Sequence, residues 1–326
     1  MRAVVAHRYG PPEVLELQDV AKPILTDGRV LVRVKAASVN PVDKYSMRGP
    51  LIMRVSGGGL LRPKIVVQGA DLAGVVEEVG RGVTRFKPGD EVFGTGRGSF
   101  AQYASAREDR LSLKPANLTF EEAAGFPIAA ITALQALRDK GRVRPGQRVL
   151  IIGASGGVGT YAVQIAKSFG AEVTGVCSAG KMELARSLGA DRVIDYSMDD
   201  FVSEGLRYDL VVDVVGTLPL SDRHRILASG GTLVLVGADT KRGFARVLLR
   251  MAKAKVLSAL FGQKIFFLAA KIDGEDLEAL KVLAEAGKVN TVVDRSFPLG
   301  NASDAMRYLE EGHARGKVVI EVSGQA

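Results

Sequence analysis

The chain has 326 residues, 47% hydrophobic and 25% charged, which suits a folded globular protein with room for two cores and excludes a disordered one. One cysteine, Cys177, excludes an intrachain disulfide and a thiolate cluster for zinc, and the scattered His7, His224 and His313 read as surface or packing residues. Of the formal net charge of +8, eight basic residues lie in the acid-free segment 241–272, so the rest of the chain is near neutral and carries no general basic surface.

From the N-terminus to about residue 117, RAVVAHRYG, RVLVRVKAASV, GVVEEVG and DEVFGTG are short β-branched runs broken by Gly and Pro. They predict strands joined by turns in an irregular all-β domain. From about 119 the pattern alternates. RVLIIG predicts a strand, and GVGTYAVQIAKSFG predicts a helix with Val158, Tyr161, Ala162, Ile165 and Ala166 on one face. EVTGVC, DRVIDY, YDLVVDVVG and GTLVLVG predict further strands, with a helix over GKMELARSLGA. Apolar strands alternating with helices imply a doubly wound parallel sheet. VNTVVDRSFPLG, a helix over 301–311 and KVVIEVSG then return to short strands.

The start, MRAVVAHRYG, lacks an apolar run of signal-peptide length, and the longest uncharged stretch, 123–137, is shorter than the roughly 20 residues of a membrane span. A cytoplasmic protein is expected, or an organellar one whose targeting peptide has been removed. With no Trp and 6% aromatic residues, no nucleic-acid partner is expected.

Between the clearest strand and the clearest helix lies Gly153-Ala154-Ser155-Gly156-Gly157-Val158-Gly159. Set on G-x-G-x-x-G, Ala154 takes the first glycine's place, and Gly156 and Gly159 take the second and third. Gly156 lets backbone approach a pyrophosphate, Gly159 permits close helix packing, and the first helical N–H groups face an anion. Dinucleotide binding is expected. At the end of the second strand, VCSAGK (176–181) offers no acid for an NAD ribose. Ser178 and Lys181 supply a hydroxyl and a cation suited to a 2′-phosphate, so NADPH is the expected cofactor. Ser178 could alternatively cap the following helix.

In order along the chain, AASVNPVDKYSMRG (36–49), GADLAGVVEEVG (69–80), FKPGDEVFG (86–94), GSFAQYA (98–104), the glycine loop with VQIAKSFGAEV, LGADRVIDY (188–196) and GHARGKVVI (312–320) resemble the zinc-free quinone oxidoreductases of the medium-chain dehydrogenase/reductase superfamily. The resemblance implies an α/β protein with a GroES-like irregular β domain over 1–118 and 296–326. A Rossmann NADPH-binding domain would span 119–295. Where zinc alcohol dehydrogenases carry a Cys and a Gly-His-Glu stretch, this sequence reads SVNPVD and GADLAG, so no metal is expected. Without a Lewis acid to hold an alkoxide, hydride delivery to a quinone or an α,β-unsaturated carbonyl fits better than alcohol oxidation.

The resemblance further implies that Asn40 faces the nicotinamide and substrate, where its amide could donate to a carbonyl oxygen. Tyr45 and Asp43 are further catalytic candidates, and Thr132 stands beside the nicotinamide. Ser155, Gly156, Gly157 and Val158 would hold the pyrophosphate; Ser178, Lys181 and Tyr196 the adenosine phosphate; Val236 and Gly237 the nicotinamide ribose. His313, Ala314 and Arg315 would fold over the cofactor, although a surface turn explains them as well. The basic segment 241–272 is read as a cover over the substrate cleft, with peripheral membrane contact as the alternative. A homodimer is expected. The alternative functions are an enoyl-thioester reductase and an NADPH-binding protein without turnover.

Overall fold

The structure is a computed structural model that describes residues 1–51, 54–199, 201–216, 218–219, 222–236 and 263–322. In chain order its first strands are β1 (Arg2–Val5), β2 (Glu16–Asp19) and β3 (Arg29–Val39), followed by helix α1 (Pro41–Arg48). Then come β4 (Asp71–Val79), β5 (Glu91–Thr95), β6 (Tyr103–Arg107) and β7 (Leu111–Leu113), and helices α2 (Phe120–Gly125) and α3 (Pro127–Leu134). Thr119 caps α2, its hydroxyl accepting from Glu122 N–H while the Glu122 carboxylate accepts from Thr119 N–H, a reciprocal cap that fixes where the helix starts.

The parallel sheet follows, with β8 (Arg148–Ile152), α4 (Gly157–Ser168), β9 (Glu172–Cys177), α5 (Met182–Ser187), β10 (Arg192–Asp195), β11 (Tyr208–Asp213), α6 (Arg223–Ile226), β12 (Leu227–Leu235) and β13 (Lys264–Phe267). Its strand order is β10-β9-β8-β11-β12-β13, and every pair is parallel. The order reverses at β8, the kind of switch point where doubly wound sheets bind ligands. Val149, Leu150 and Ile151 are fully buried, as a strand covered on both faces requires. On α4, Tyr161, Ala162, Ile165 and Ala166 of the predicted face are fully buried and Val158 is half-buried, but Thr160, Val163 and Gln164 are buried as well, so the helix is enclosed on all sides.

The chain ends with α7 (Gly274–Glu285), β14 (Val293–Pro298), α8 (Ala302–Glu311) and β15 (Lys317–Glu321). These last strands join the N-terminal sheet, whose order is β14-β15-β3-β4-β5-β7, with β6 also paired to β3. Packing gives two compact units, 1–131 with 272–287 and 291–326, and 132–271 with 288–290. The first includes α2 and α7, which the sequence reading, with its boundaries at 118 and 296, groups with the alternating region. Helical periodicity marks a helix without saying which core it covers. For α7 the answer lies in tertiary contacts: Ser112 on β7 donates to Glu278 at 2.6 Å, and Asn117 donates to the Ala284 carbonyl at 2.9 Å. Among the described residues no helix is long and apolar enough to cross a membrane.

Candidate active site

In the second unit, β8 runs out at Ile152 and the chain turns through Gly153 at φ +88°, a conformation open to glycine. The N–H groups of Gly153 and Ala154 donate to the Val176 carbonyl at 2.9 and 3.1 Å, tying the loop to β9. A Cβ on Gly159 would collide with the Gly153 carbonyl. Over Gly156, by contrast, an added Cβ would meet only the Gly153 oxygen, at 3.5 Å. That space is open to an approaching ligand. Gly156 caps α4 with no side-chain bond, which leaves the first N–H groups of a three-turn helix for an anion. The departure at Ala154 is matched across the sheet: a Cβ on Gly175 of β9 would lie 3.0 Å from the Ala154 methyl. The glycine missing from the loop is present in the neighbouring strand.

Ser178 follows β9 as the cap of a 3-10 turn over Ala179–Lys181, and its hydroxyl makes no capping bond. Its carbonyl accepts from Lys181 N–H at 2.9 Å. β10 ends alongside, with Asp195 opposite Cys177, and Tyr196 is 62% exposed. Ser178, Lys181 and Tyr196 therefore sit with Ser155, Gly157 and Val158 at the carboxyl edge of β8, β9 and β10. Val236 leaves β12 at the same edge, its N–H donating to the Asp213 carbonyl at 3.0 Å. Gly237 and most of the basic segment, 241–262, lie outside the described residues. A separate cleft of about 590 Å³, lined in part by Lys140, Arg142, Arg144 and Lys264, opens near the amino ends of the strands and is not part of this edge.

In the first unit the SVNPVD and GADLAG stretches meet in a buried polar cluster. Asn40 ends β3 and caps α1, and its N–H donates to Asp43 at 2.8 Å. The Asn40 side-chain nitrogen donates to Asp71 Oδ2 at 2.8 Å and to the Ser38 carbonyl at 3.3 Å. The ammonium of Lys317 donates to Asn40 Oδ1 at 2.7 Å. Ser38 Oγ donates to Asp71 Oδ2 at 3.0 Å, and Ile128 N–H donates to Asp71 Oδ1 at 3.1 Å. All five side chains, Ser38, Asn40, Asp43, Asp71 and Lys317, are at most 3% exposed.

Burial and then the nearby Asp71 charge push the Asp43 carboxyl up to about 7. Burial likewise raises Asp71 to about 6, against the pull of Lys317 and the donors from Asn40, Ser38 and Ile128. Lys317 is lowered by its own burial, opposed by the two carboxylates. Two acids and one base share a dry space, so their protons belong to the group.

Of the other candidates, Tyr45 is half-buried on α1, and Thr132 is 7% exposed on α3. His313, Ala314 and Arg315 form the turn between α8 and β15, after Gly312 caps α8 at φ +77°. Arg315 N–H and the Tyr308 hydroxyl both donate to Asp294, at 2.9 and 2.7 Å. Ser38, Asp71 and Lys317 were not singled out from the sequence. The available signal was a charge at the head of each of two apolar strands, DLAGVV and KVVI, where a buried charge needs a partner.

A family model described as alcohol dehydrogenase GroES-like domain matches residues 26–116, and one described as zinc-binding dehydrogenase matches 188–320. The chain is 36% identical to the NADPH-dependent alkenal/one oxidoreductase, chloroplastic, of Arabidopsis thaliana, covering 98% of this chain and 79% of that one. It is 33% identical to the chloroplast envelope quinone oxidoreductase homolog of the same plant, over 98% of each. The solved quinone oxidoreductase from Coxiella burnetii matches over 99% of each chain at 32% identity and a TM-score of 0.85. The chain belongs to the quinone oxidoreductase branch of the medium-chain dehydrogenase/reductase superfamily.

This quinone oxidoreductase relative has the GroES-like and Rossmann-type α/β architecture that the motifs implied. The donor set at SVNPVD and GADLAG does not suit a metal: the Lys317 ammonium already stands among Asn40, Asp43 and Asp71. Among the described residues no group of three His, Cys, Asp or Glu side chains could hold a metal ion.

Proposed function

We propose that this quinone oxidoreductase relative is an NADPH-dependent reductase of quinones or of the C=C bond of α,β-unsaturated carbonyl compounds. The observation that carries the reading is the carboxyl edge of the parallel sheet, where an open glycine loop at the start of α4 stands beside Ser178, Lys181 and Tyr196 with no acid at the end of β9. NADPH, when bound, supplies a hydride from nicotinamide C4. Ser155, Gly157 and Val158 would hold its pyrophosphate through backbone N–H groups, with Gly156, whose own N–H donates to the Gly153 carbonyl at 3.1 Å, leaving the space for it to approach. The Ser178 hydroxyl and the Lys181 ammonium take the 2′-phosphate, with Tyr196 alongside. Val236, where β12 ends, would border the nicotinamide ribose.

At the substrate end, Asn40 orients the acceptor oxygen. Both of its amide hydrogens already have partners, and the 3.3 Å bond to the Ser38 carbonyl is the weaker one. The amide would exchange that bond for the substrate oxygen and keep Asp71. Asp43 secures the corner at Asn40, accepting from its N–H. The remaining share of the protein is positioning and exclusion of water. An apolar acceptor is supported by Leu51, Val55, Leu60, Leu61 and Ile65, all more than half exposed after α1. A second copy of the chain would pair along β13, the edge strand of the parallel sheet, and a cytoplasmic or organellar setting suits the reading equally. Contact of 241–272 with anionic membranes would appear as salt-sensitive liposome binding.

The test follows NADPH absorbance with quinones, short enals, long-chain enones and enoyl thioesters. Oxidation with a quinone or an enone is expected. Oxidation by none of them contradicts the reading, and oxidation by the thioesters alone makes the protein an enoyl reductase.

A further inference from the structure

We propose that Lys317 and Asp71 are the positioning residues of the hydride-transfer site, together fixing the Asn40 amide and the first turn of the helix that carries Thr132. The inference rests on the reading of Asn40 and Thr132 as substrate-side residues. A carboxamide has nearly the same shape either way round, so its partners decide which end bears the hydrogens. Lys317 can only donate and meets Oδ1 at 2.7 Å; ionised Asp71 can only accept and meets Nδ2 at 2.8 Å. Reversing the amide would set donor against donor and acceptor against acceptor inside the core. One orientation survives.

Asp71 divides its two oxygens between two segments. Oδ2 serves Ser38 and Asn40, whereas Oδ1 takes the N–H of Ile128, the second residue of α3. That N–H is among those a helix leaves without an intrahelical acceptor, and a negative charge there is favourable. Thr132 lies four residues on, on the same helical face. The carboxylate therefore couples the Asn40 corner to the placement of α3.

An ordinary stabilising salt bridge does not account for the geometry. The Lys317 nitrogen is 3.9 Å from Asp71 Oδ2 but 2.7 Å from the amide oxygen, so the ammonium is committed to Asn40. Buried ion pairs also contribute little to stability compared with apolar replacements. The same two charges are well suited to holding one polar group in one orientation.

The experiment uses the full chain with Lys317→Gln, Asp71→Asn and the double variant. Hydrogen exchange of the Asn40 side-chain amide and of the Ile128 N–H is measured without cofactor, NADPH affinity by fluorescence, and kcat at saturating NADPH and quinone. Misplacement of reacting groups by about 1 Å can cost about 100-fold. Lys317→Gln is expected to lose protection at the Asn40 side chain and Asp71→Asn at both sites, each with a loss of about 10- to 100-fold in kcat, while the NADPH Kd stays within about threefold. The double variant should be no worse than the poorer single one, because the two residues act as a unit. Folded variants with wild-type protection and kcat, or losses that multiply, overturn the proposal. Should these variants not fold, Ser38→Ala takes only a hydroxyl from Asp71 and should lower kcat about three- to tenfold at unchanged Kd; wild-type kcat there overturns it too. If the wild type oxidises no NADPH, the functional reading fails on its own, and the exchange measurement still decides whether the pair positions Asn40 and α3.

Discussion

Asp43 is the residue whose environment makes the clearest demand on pH. Its carboxyl is raised from 3.8 to about 7, so between those values the folded chain holds a proton that the unfolded chain has released. The Asp43 contribution to stability is then present at acid pH and lost as pH rises through about 7. Asp43→Asn lacks this dependence, so its stability relative to wild type should be better at about pH 8 than at about pH 5, as read by denaturant midpoints. An equal difference at the two pH values would contradict the burial argument. At the cofactor edge, Lys181→Ala should raise the NADPH KM about tenfold or more and leave NADH kinetics unchanged, because only the 2′-phosphate is lost as a partner. Ser178 and Lys181 could be singled out as candidates in the sequence because they directly follow the second strand of the alternating region. The Lys317 cluster was not, since Lys317 and its partner Asn40 are 277 residues apart in the chain and no local periodicity records such a meeting.

The glycine loop shows how two elements share one steric requirement. Gly159→Ala would drive a methyl into the Gly153 carbonyl and should cost about 1–3 kcal/mol, with NADPH binding lost in parallel, by thermal melt and fluorescence titration. Gly175→Ala sets a methyl 3.0 Å from Ala154. It should destabilise by about 1 kcal/mol or more, and Ala154→Gly in the same chain should restore most of that loss. Absence of rescue would mean that strain at Gly175 arises elsewhere. The loop, β8 and α4 were readable because alternating apolar runs and a 3.6-residue face survive in the sequence. The family resemblance already grouped 296–326 with the N-terminal domain, whereas assigning α2 and α7 to a core depends on contacts such as Ser112 with Glu278, which sequence spacing does not encode.

On the scale of the whole molecule, the two units divide the chemistry that the sequence motifs announced. The parallel sheet of the second presents an open loop and a cationic turn at one edge, and the first buries Asn40 in a charged cluster at the corner between β3 and α1. The family assignment and the carboxyl edge of the sheet agree on a nicotinamide-dependent reductase, and the central claim is that its reductant is the phosphorylated nucleotide. The ratio of kcat/KM for NADPH over NADH, measured with one quinone or enone acceptor, tests this most directly. A preference for NADPH of about 100-fold, set by charge-assisted bonds from Ser178 and Lys181 to the 2′-phosphate, is predicted. Equal use of the two nucleotides, or a preference for NADH, would contradict it.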